Sequence, residues 1–514
     1  MPILPVTTQT GPVQRTRLRG RSTWLVAAYW VLGLWAASLA VTMAYLYLAT
    51  AGSFDYVEGV ALGHQLMSAG GVSLYGVPAD QPPYSVPLYG PVFYGIYGQL
   101  LDIAAPSFAP ARALNLLLAL YLCGLALLVA RQRLGVSTTA ACIAVLCWLA
   151  LEPAAGFLLQ NRPDTLALAF AASGFMVATL GNRSSLPWAA LLLTAAAYTK
   201  QTAVVAPLIA ALLVLLGTQR ARDAGVLFLT TLGLCLAIFL LLNGLTEGRY
   251  WNAAVMGNLN GFSPGSALVA WQKAGQQPLF WLALAVMLVN LRAAGARRAI
   301  AIYGLMSLAL HGLAVAKPGA NSNYFLEYSW CAALALAPLL DDLLRHSVYV
   351  RRGLLSALVL LACVISLGLA TQSMQRLHQA AEDWPRYRDW LNHWEAAASG
   401  PVASMQPGTQ ILHGREPYIL DPHIIARLTE QGRFDEQGFI DDLRQARIGA
   451  VIGADDLTAG PGEFSNWSHG VRAALQEHYV KADTLGHLSV WLPQKNHQAT
   501  RPAIPRKHPE ALNP

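Results

Sequence analysis

Charge is what this chain lacks. Of its 514 residues only 12% are Asp, Glu, Lys or Arg, while 55% are hydrophobic, and the mean hydropathy is +0.40. Soluble domains carry about 25% charged residues, so a membrane protein is the first reading. The deficit is uneven. Residues up to about 373 are apolar blocks with short polar breaks, and about 375–495 reads like an ordinary soluble domain. Cysteine is also scarce. Cys123, Cys142, Cys147, Cys235, Cys331 and Cys363 all fall in apolar segments and none forms a CxxC pair. Disulfides and a thiolate metal site are therefore not expected. No basic stripe with interleaved aromatics is present, so the net charge of +7 is no sign of a nucleic-acid partner. There is no Gly-rich phosphate loop, no nucleophile motif, no His/Cys metal spacing and no internal repeat of the kind found in secondary transporters.

What is present is a series of apolar runs. About eleven transmembrane helices are expected, near 24–49, 109–130, 137–157, 164–181, 186–200, 203–219, 224–243, 278–292, 298–315, 324–343 and 353–372. The first follows Arg15, Arg17, Arg19 and Arg21 and is too long for a cleavable signal segment. Pro91–Ala105 is apolar but only about fifteen residues long, which favours an interfacial helix, with Phe93, Tyr94 and Tyr97 at headgroup level. With that topology one side holds fifteen basic residues: Arg15, Arg17, Arg19, Arg21, Arg131, Arg133, Arg183, Arg220, Arg222, Arg292, Arg297, Arg298, Arg345, Arg351 and Arg352. The other holds six up to the last span: Arg112, Arg162, Lys200, Arg249, Lys273 and Lys317. Cytoplasmic loops carry the Lys/Arg excess, so the N-terminus is expected inside and the C-terminal region outside.

The outer loops then collect the acids and bases. In FDYVEG, Asp55 and Glu58 are three apart on a helix expected to lie on the membrane surface, where they can hold a divalent ion or act as base and orienting group. The plainer reading is acids at a helix N-terminus. In QNRPD, Arg162 and Asp164 flank Pro163 and suit either a helix start or a phosphate site. Lys200, followed by Gln201, sits in a tight turn, as a snorkelling lysine or a phosphate partner. Arg249 and Tyr250 mix charge with an aromatic belt. Lys317, Asn321, Asn323, Tyr324 and Glu327 fall within eleven positions, and the Asn and Tyr groups suit sugar hydroxyls. Glu327 is expected inside a span, where an ionisable side chain is costly and points to function.

Four segments in this order, FDYVEG, QNRPDTLALA, AYTKQTAVVAP and NSNYFLE, resemble the GT-C class of polytopic glycosyltransferases over roughly residues 24–372. The likeness is to bacterial members of glycosyltransferase family 39, which includes protein O-mannosyltransferases and aminoarabinose transferases. The resemblance implies a polyprenyl-phosphate sugar donor, a lipid, glycan or protein acceptor, and reaction at the outer membrane face. It implies Asp55 as the catalytic acid position, with Glu58 as rival because Tyr56 and Val57 separate the two, and Asp164 as a second acid. Arg162, Lys200, Arg249 or Lys317 then stabilises the departing lipid phosphate. A single carboxylate base with in-line attack inverts the anomeric centre.

In the C-terminal region, strand-like runs at 402–405, 410–413, 450–452 and 488–492 alternate with helical patterns at 422–431, 436–447 and 469–479. This predicts a small α/β domain. Its His413, Glu416 and Asp421 are read as solvated loop positions. The expected organisation is a basic cytoplasmic tail (1–23), a transmembrane transferase domain (24–373, first outer loop 51–108), an extracytoplasmic α/β domain (374–495) and a disordered tail (496–514). The leading expectation is an inverting glycosyltransferase of the bacterial cytoplasmic membrane, with a divalent ion as optional helper. The alternative is a transporter or flippase of a polar or lipid-linked substrate, and a non-catalytic scaffold is the third reading.

Overall fold

The computed structural model describes residues 19–75, 81–259, 261–345, 350–453 and 466–494. Arg15, Arg17 and the tail 496–514 lie outside them. Eleven helices match the eleven expected spans: Arg19–Ala49, Ala109–Gln132, Thr138–Leu149, Asp164–Leu180, Leu186–Thr199, Val205–Gly217, Ala221–Leu245, Pro278–Asn290, Ala296–Ala314, Leu326–Arg345 and Val350–Ala397. Four of the described helices are long and apolar enough to cross a membrane unaided, over Val26–Ala49, Ala109–Gln132, Ala221–Leu245 and Gly353–Ala397. Ala221–Leu245 shows why. Ala224, Leu227 and Thr231 face the bundle, while Leu229, Leu236, Leu240 and Leu241 are exposed. A helix apolar on all sides needs lipid around it.

The shorter helices end in buried, irregular backbone. Thr138–Leu149 passes through a short helix, Glu152–Phe157, into Leu158–Pro163 before the next helix starts at Asp164. Non-helical backbone at such depth is tolerated where protein encloses it or a cavity lies beside it. The six cysteines are free thiols, with Cys147 and Cys363 buried at 4.0 Å between sulfurs.

The C-terminal region carries a four-stranded sheet in the order β1-β2-β4-β3: β1 Val402–Ser404, β2 Ala450–Gly453, β3 Tyr479–Leu485 and β4 Leu488–Pro493. β1 and β2 run parallel, and β4 pairs antiparallel with both β2 and β3. Leu391 and Trp394, near the end of the Val350–Ala397 helix, pack on one side against Val402, Ile452 and Val490. Helices Pro422–Glu430, Gln437–Arg444 and His469–His478 match the expected patterns. Two expectations fail. The run 410–413 lies in a helix, Pro407–Leu412, because Pro407 opens a helical turn and Gly408 lies against Gly59. A Cβ on Gly59 would come within 2.6 Å of the Gly408 nitrogen, so that contact leaves no room for a side chain. The unexpected strand β3 is half exposed and carries a bulge between Lys481 and Asp483, which blurs the alternation.

The apolar stripe of the first long loop, Leu62 and Leu66, packs inside the protein against Phe108, Ile411 and Leu420. Its helix Tyr56–Ala69 is clamped between the bundle and Pro407–Leu412 and buries Glu58, His64 and Gln65. The Pro91–Gly98 helix is only eight residues long. Phe93, Tyr94 and Tyr97 are buried, because helices Tyr56–Ala69 and Leu186–Thr199 pack against this short helix. They share a core with Tyr198, Tyr250, Tyr418 and Phe439.

Candidate active site

The segment Gln160–Asp164 forms the floor of the site. Its first two residues are anchors. Gln160 Nε2 donates to Gly156 O at 2.9 Å, and the Asn161 and Gln65 amides exchange hydrogen bonds at 2.8 and 3.0 Å. The next residues carry charge into the site. Arg162 Nη1 donates to Asp55 Oδ2 at 2.7 Å, and Nε lies 3.4 Å from Asp164 Oδ2. Asp164 Oδ1 accepts from Lys200 Nζ and from Asn323 Nδ2, each at 2.7 Å. Lys200 Nζ also stands 4.4 Å from the centroid of the Tyr324 ring. Asp55, Arg162, Asp164, Lys200 and Asn323, from four separate segments of the chain, thus make one hydrogen-bonded network.

The three candidate acids part company here. Glu58 does not pair with Asp55 as expected. Its side chain is fully buried and accepts from Arg112 Nε (3.0 Å), Arg112 Nη2 (2.7 Å), Asn161 N (2.8 Å) and Phe54 N (2.8 Å). Arg112 spends its remaining donors on Tyr47 O, Thr50 O and Gly52 O. With two donors on each oxygen and no exposed surface, Glu58 has no acceptor capacity left for a proton or a metal, so the Asp55/Glu58 pair does not fit a divalent ion. Among the described residues no three His, Cys, Asp or Glu side chains cluster for a metal. Asp164 is 3% exposed and has three partners. Asp55 is 23% exposed, and its Oδ1 caps the Tyr56–Ala69 helix through Val57 N at 2.9 Å. It is the one acid of the three with an open edge.

Beside this network a cavity of about 270 Å³ separates the bundle end from the C-terminal region. Arg162, Lys200, Lys317, Tyr324 and Asn323 line it, together with Tyr56, Tyr89, Asn258, Asp421 and His423. Asp55 is not in the lining but is ion-paired to Arg162, which is. Lys317 Nζ donates to Asn258 Oδ1 at 2.7 Å, and among the described residues it has no carboxylate at ion-pair distance. Burial, with Lys200 nearby, pulls its ammonium down to about 8. Gln201 also lines the cavity, but its amide holds Leu88 O (2.8 Å) and Ala254 O (3.2 Å) in place.

Four expected site residues lie elsewhere. Asn321 caps the turn at Ser322 N (2.9 Å) and is absent from the cavity wall. Glu327 lines a void of about 20 Å³ on the other side of Asp164, beside His311, large enough for about one water. Tyr250 is buried against Tyr75, with ring centroids 4.9 Å apart. Arg249 is surface-exposed on Glu247 (3.0 Å) and lines a separate cavity of about 640 Å³ with Trp251 and Arg433. Tyr56, Tyr89, Asn258, Asp421 and His423 were not singled out for this site. Asp421 gave one signal, an Asp-Pro pair at a helix start, which announces a cap and not a cavity. It is 5% exposed rather than solvated.

No protein-family model matches the sequence, and no curated relative matches it. Solved structures match the fold. ArnT from Cupriavidus metallidurans in the apo state matches with a TM-score of 0.55 at 13% identity, over 90% of this chain and 98% of that one. The same protein bound to undecaprenyl phosphate matches with a TM-score of 0.54 at 13% identity, over 90% and 97%. The oligosaccharyltransferase of Archaeoglobus fulgidus has a TM-score of 0.49 at 13% identity, over 89% and 72%. At such identity the likeness is one of fold: the chain is an α-helical, multi-pass membrane protein that shares the fold of these ArnT structures and carries a small C-terminal α/β region.

Proposed function

We propose that the chain is a membrane glycosyltransferase. It moves a sugar from a polyprenyl-phosphate donor to an acceptor hydroxyl at the outer face of the bacterial cytoplasmic membrane. The observation that carries this reading is the 270 Å³ cavity at the bundle end, where Arg162, Lys200 and Lys317 meet beside Asp55. Arg162 and Lys200 are already balanced by Asp55 and Asp164, whereas Lys317 is bonded only to a neutral amide. A phosphate entering the cavity supplies the anion at ion-pair distance that Lys317 lacks among the described residues. Undecaprenyl phosphate is the ligand named for the ArnT complex, and it has this chemistry.

In the reaction the acceptor oxygen attacks the anomeric carbon and its proton passes to Asp55. The bond from the anomeric carbon to the phosphate oxygen breaks, and the electron pair leaves with the lipid phosphate. The new charge is stabilised by Lys317, then by Lys200 and Arg162. Attack opposite the leaving group inverts the centre. Asp164, buried and bonded to three side chains, holds Arg162 and Lys200 in position and is a positioning residue. Asn323 secures it through a 2.7 Å hydrogen bond.

Transport is less well supported. Transporters place their polar groups near the membrane midplane, and here the ion-paired network joins helix ends and loops. The test is turnover by purified protein in lipid nanodiscs with a panel of undecaprenyl-phosphate sugars and envelope-extract acceptors. Release of undecaprenyl phosphate, lost in Asp55→Asn, is the expected result. No release with any donor from folded protein would overturn the reading.

A further inference from the structure

The cavity wall includes a carboxylate from the C-terminal region, and the transferase reading gives it no task. Asp421 is the N-cap of helix Pro422–Glu430, with Oδ1 accepting from Ile424 N at 3.1 Å. Its Oδ2 has no partner among the described residues, and the side chain lines the cavity.

Its placement is fixed by two strands of contact. Tyr84 N donates to Tyr418 O (3.1 Å) and Leu420 N to Tyr84 O (2.9 Å), so residues 418–420 pair with the first long loop. Leu420 also presses on Gly63, where a Cβ would come within 2.5 Å of it. On the other side Gly319, two residues after Lys317, lies against the His423 ring. The C-terminal region is thereby built into the cavity rather than resting over it.

Two facts limit what Asp421 can meet. A carboxylate repels phosphate, so the phosphate belongs on the side of Lys317, Lys200 and Arg162. The group facing Asp421 must then be a hydrogen-bond donor attached to that phosphate, and in a glycosyl phosphate that donor is a ring hydroxyl. Burial pushes the Asp421 carboxyl up to about 7, against the pull of Ile424 N–H and Lys317. Above that pH the group is a carboxylate, and a hydroxyl donating to it makes a charge-assisted bond, stronger than a neutral one.

We infer that Asp421 is a specificity-determining residue that accepts a hydrogen bond from a hydroxyl of the donor sugar, so the C-terminal region helps choose the glycosyl group. This rests on the transferase reading for the identity of the ligand but not for its test, which reads binding alone.

The test uses Asp421→Asn in the full chain, because Asn caps a helix as well as Asp does. Affinities for bare undecaprenyl phosphate and for undecaprenyl phosphate bearing a hexose, an N-acetylhexosamine or a pentose are measured in nanodiscs. In the wild type, at least one glycosylated lipid is expected to bind more tightly than the bare one. In Asp421→Asn that preference shrinks by about tenfold, while bare-lipid affinity holds or rises because a negative charge beside Lys317 is gone. Equal loss for both ligands, no change in either, or no sugar preference in the wild type would each overturn the assignment. If the wild type binds sugars selectively yet turns none over, the transferase reading falls and the assignment of Asp421 stands.

Discussion

Two arginine–carboxylate pairs stand at the same end of the bundle, and they are built for opposite ends. Arg112 and Glu58 are both fully buried, and every donor and acceptor between them is used. Arg162 and Asp55 make an equally short bond, 2.7 Å, but Asp55 keeps an open edge and Arg162 lines a cavity. Ion pairing alone therefore does not mark an active site. The difference lies in what remains unsatisfied once the pair has formed. A sealed pair holds the first long loop onto the bundle, and an open one leaves charge for a ligand.

The sharpest break in this comparison is Asp55→Asn. Turnover is expected to fall about 10²–10⁴-fold, the range for loss of a general base, with a smaller loss of thermal stability in detergent than any change at Glu58. The loss is small because Asn preserves the cap at Val57 N and Asp164 still faces Arg162. The mirror experiment is Glu58→Gln. Breaking a buried pair leaves Arg112 uncompensated and costs about 3–5 kcal/mol, so melting temperature and the yield of monodisperse protein should drop. Molecules that still fold should keep their turnover. If Glu58→Gln melts like wild type but is inactive, the roles of the two acids are reversed.

Much of the scaffold was legible because lipid imposes a simple pattern. Eleven apolar runs became eleven helices, and Pro163 marks the start of Asp164–Leu180 as it should. Polar residues converging at the helix ends were also readable, and Arg162, Asp164, Lys200 and Asn323 do meet. The pairing was not readable. Glu58 finds Arg112 54 positions away and Asp55 finds Arg162 107 away, and no local spacing distinguishes those choices. Asp421 was hidden for a related reason. Its Asp-Pro signature reports a cap, while its second oxygen faces a cavity wall set by Tyr84 and Gly63, more than 330 positions earlier. The 410–413 run is ambiguous in sequence because its few apolar residues fit either element, and it is helical where Gly408 meets Gly59.

A smaller effect separates Lys317 from the paired cations. Below about pH 8 its ammonium is charged and attracts the phosphodiester of a glycosyl donor, and as pH rises through 8 that charge is lost. Donor affinity in the wild type should weaken by about tenfold across this interval, the worth of one charged hydrogen bond. Lys317→Arg keeps its charge at every accessible pH and should give a flat profile. An identical fall in the Arg variant would assign the titration to another group.

The smallest effect is expected from Arg249, and it tests where the site ends. Arg249 was a candidate phosphate contact from sequence, yet it is 43% exposed and pairs with a Glu247 that is 79% exposed. Exposed pairs of this kind are worth about 0–1 kcal/mol, so Arg249→Ala should change donor affinity and turnover by at most about fivefold. The cavity it lines shares Val86 with the 270 Å³ cavity, so the two are neighbours. A larger loss confined to turnover with a bulky acceptor, with donor binding intact, would join the two cavities into one route. Arg249 would then belong with Arg162 among the cations that keep charge for a ligand.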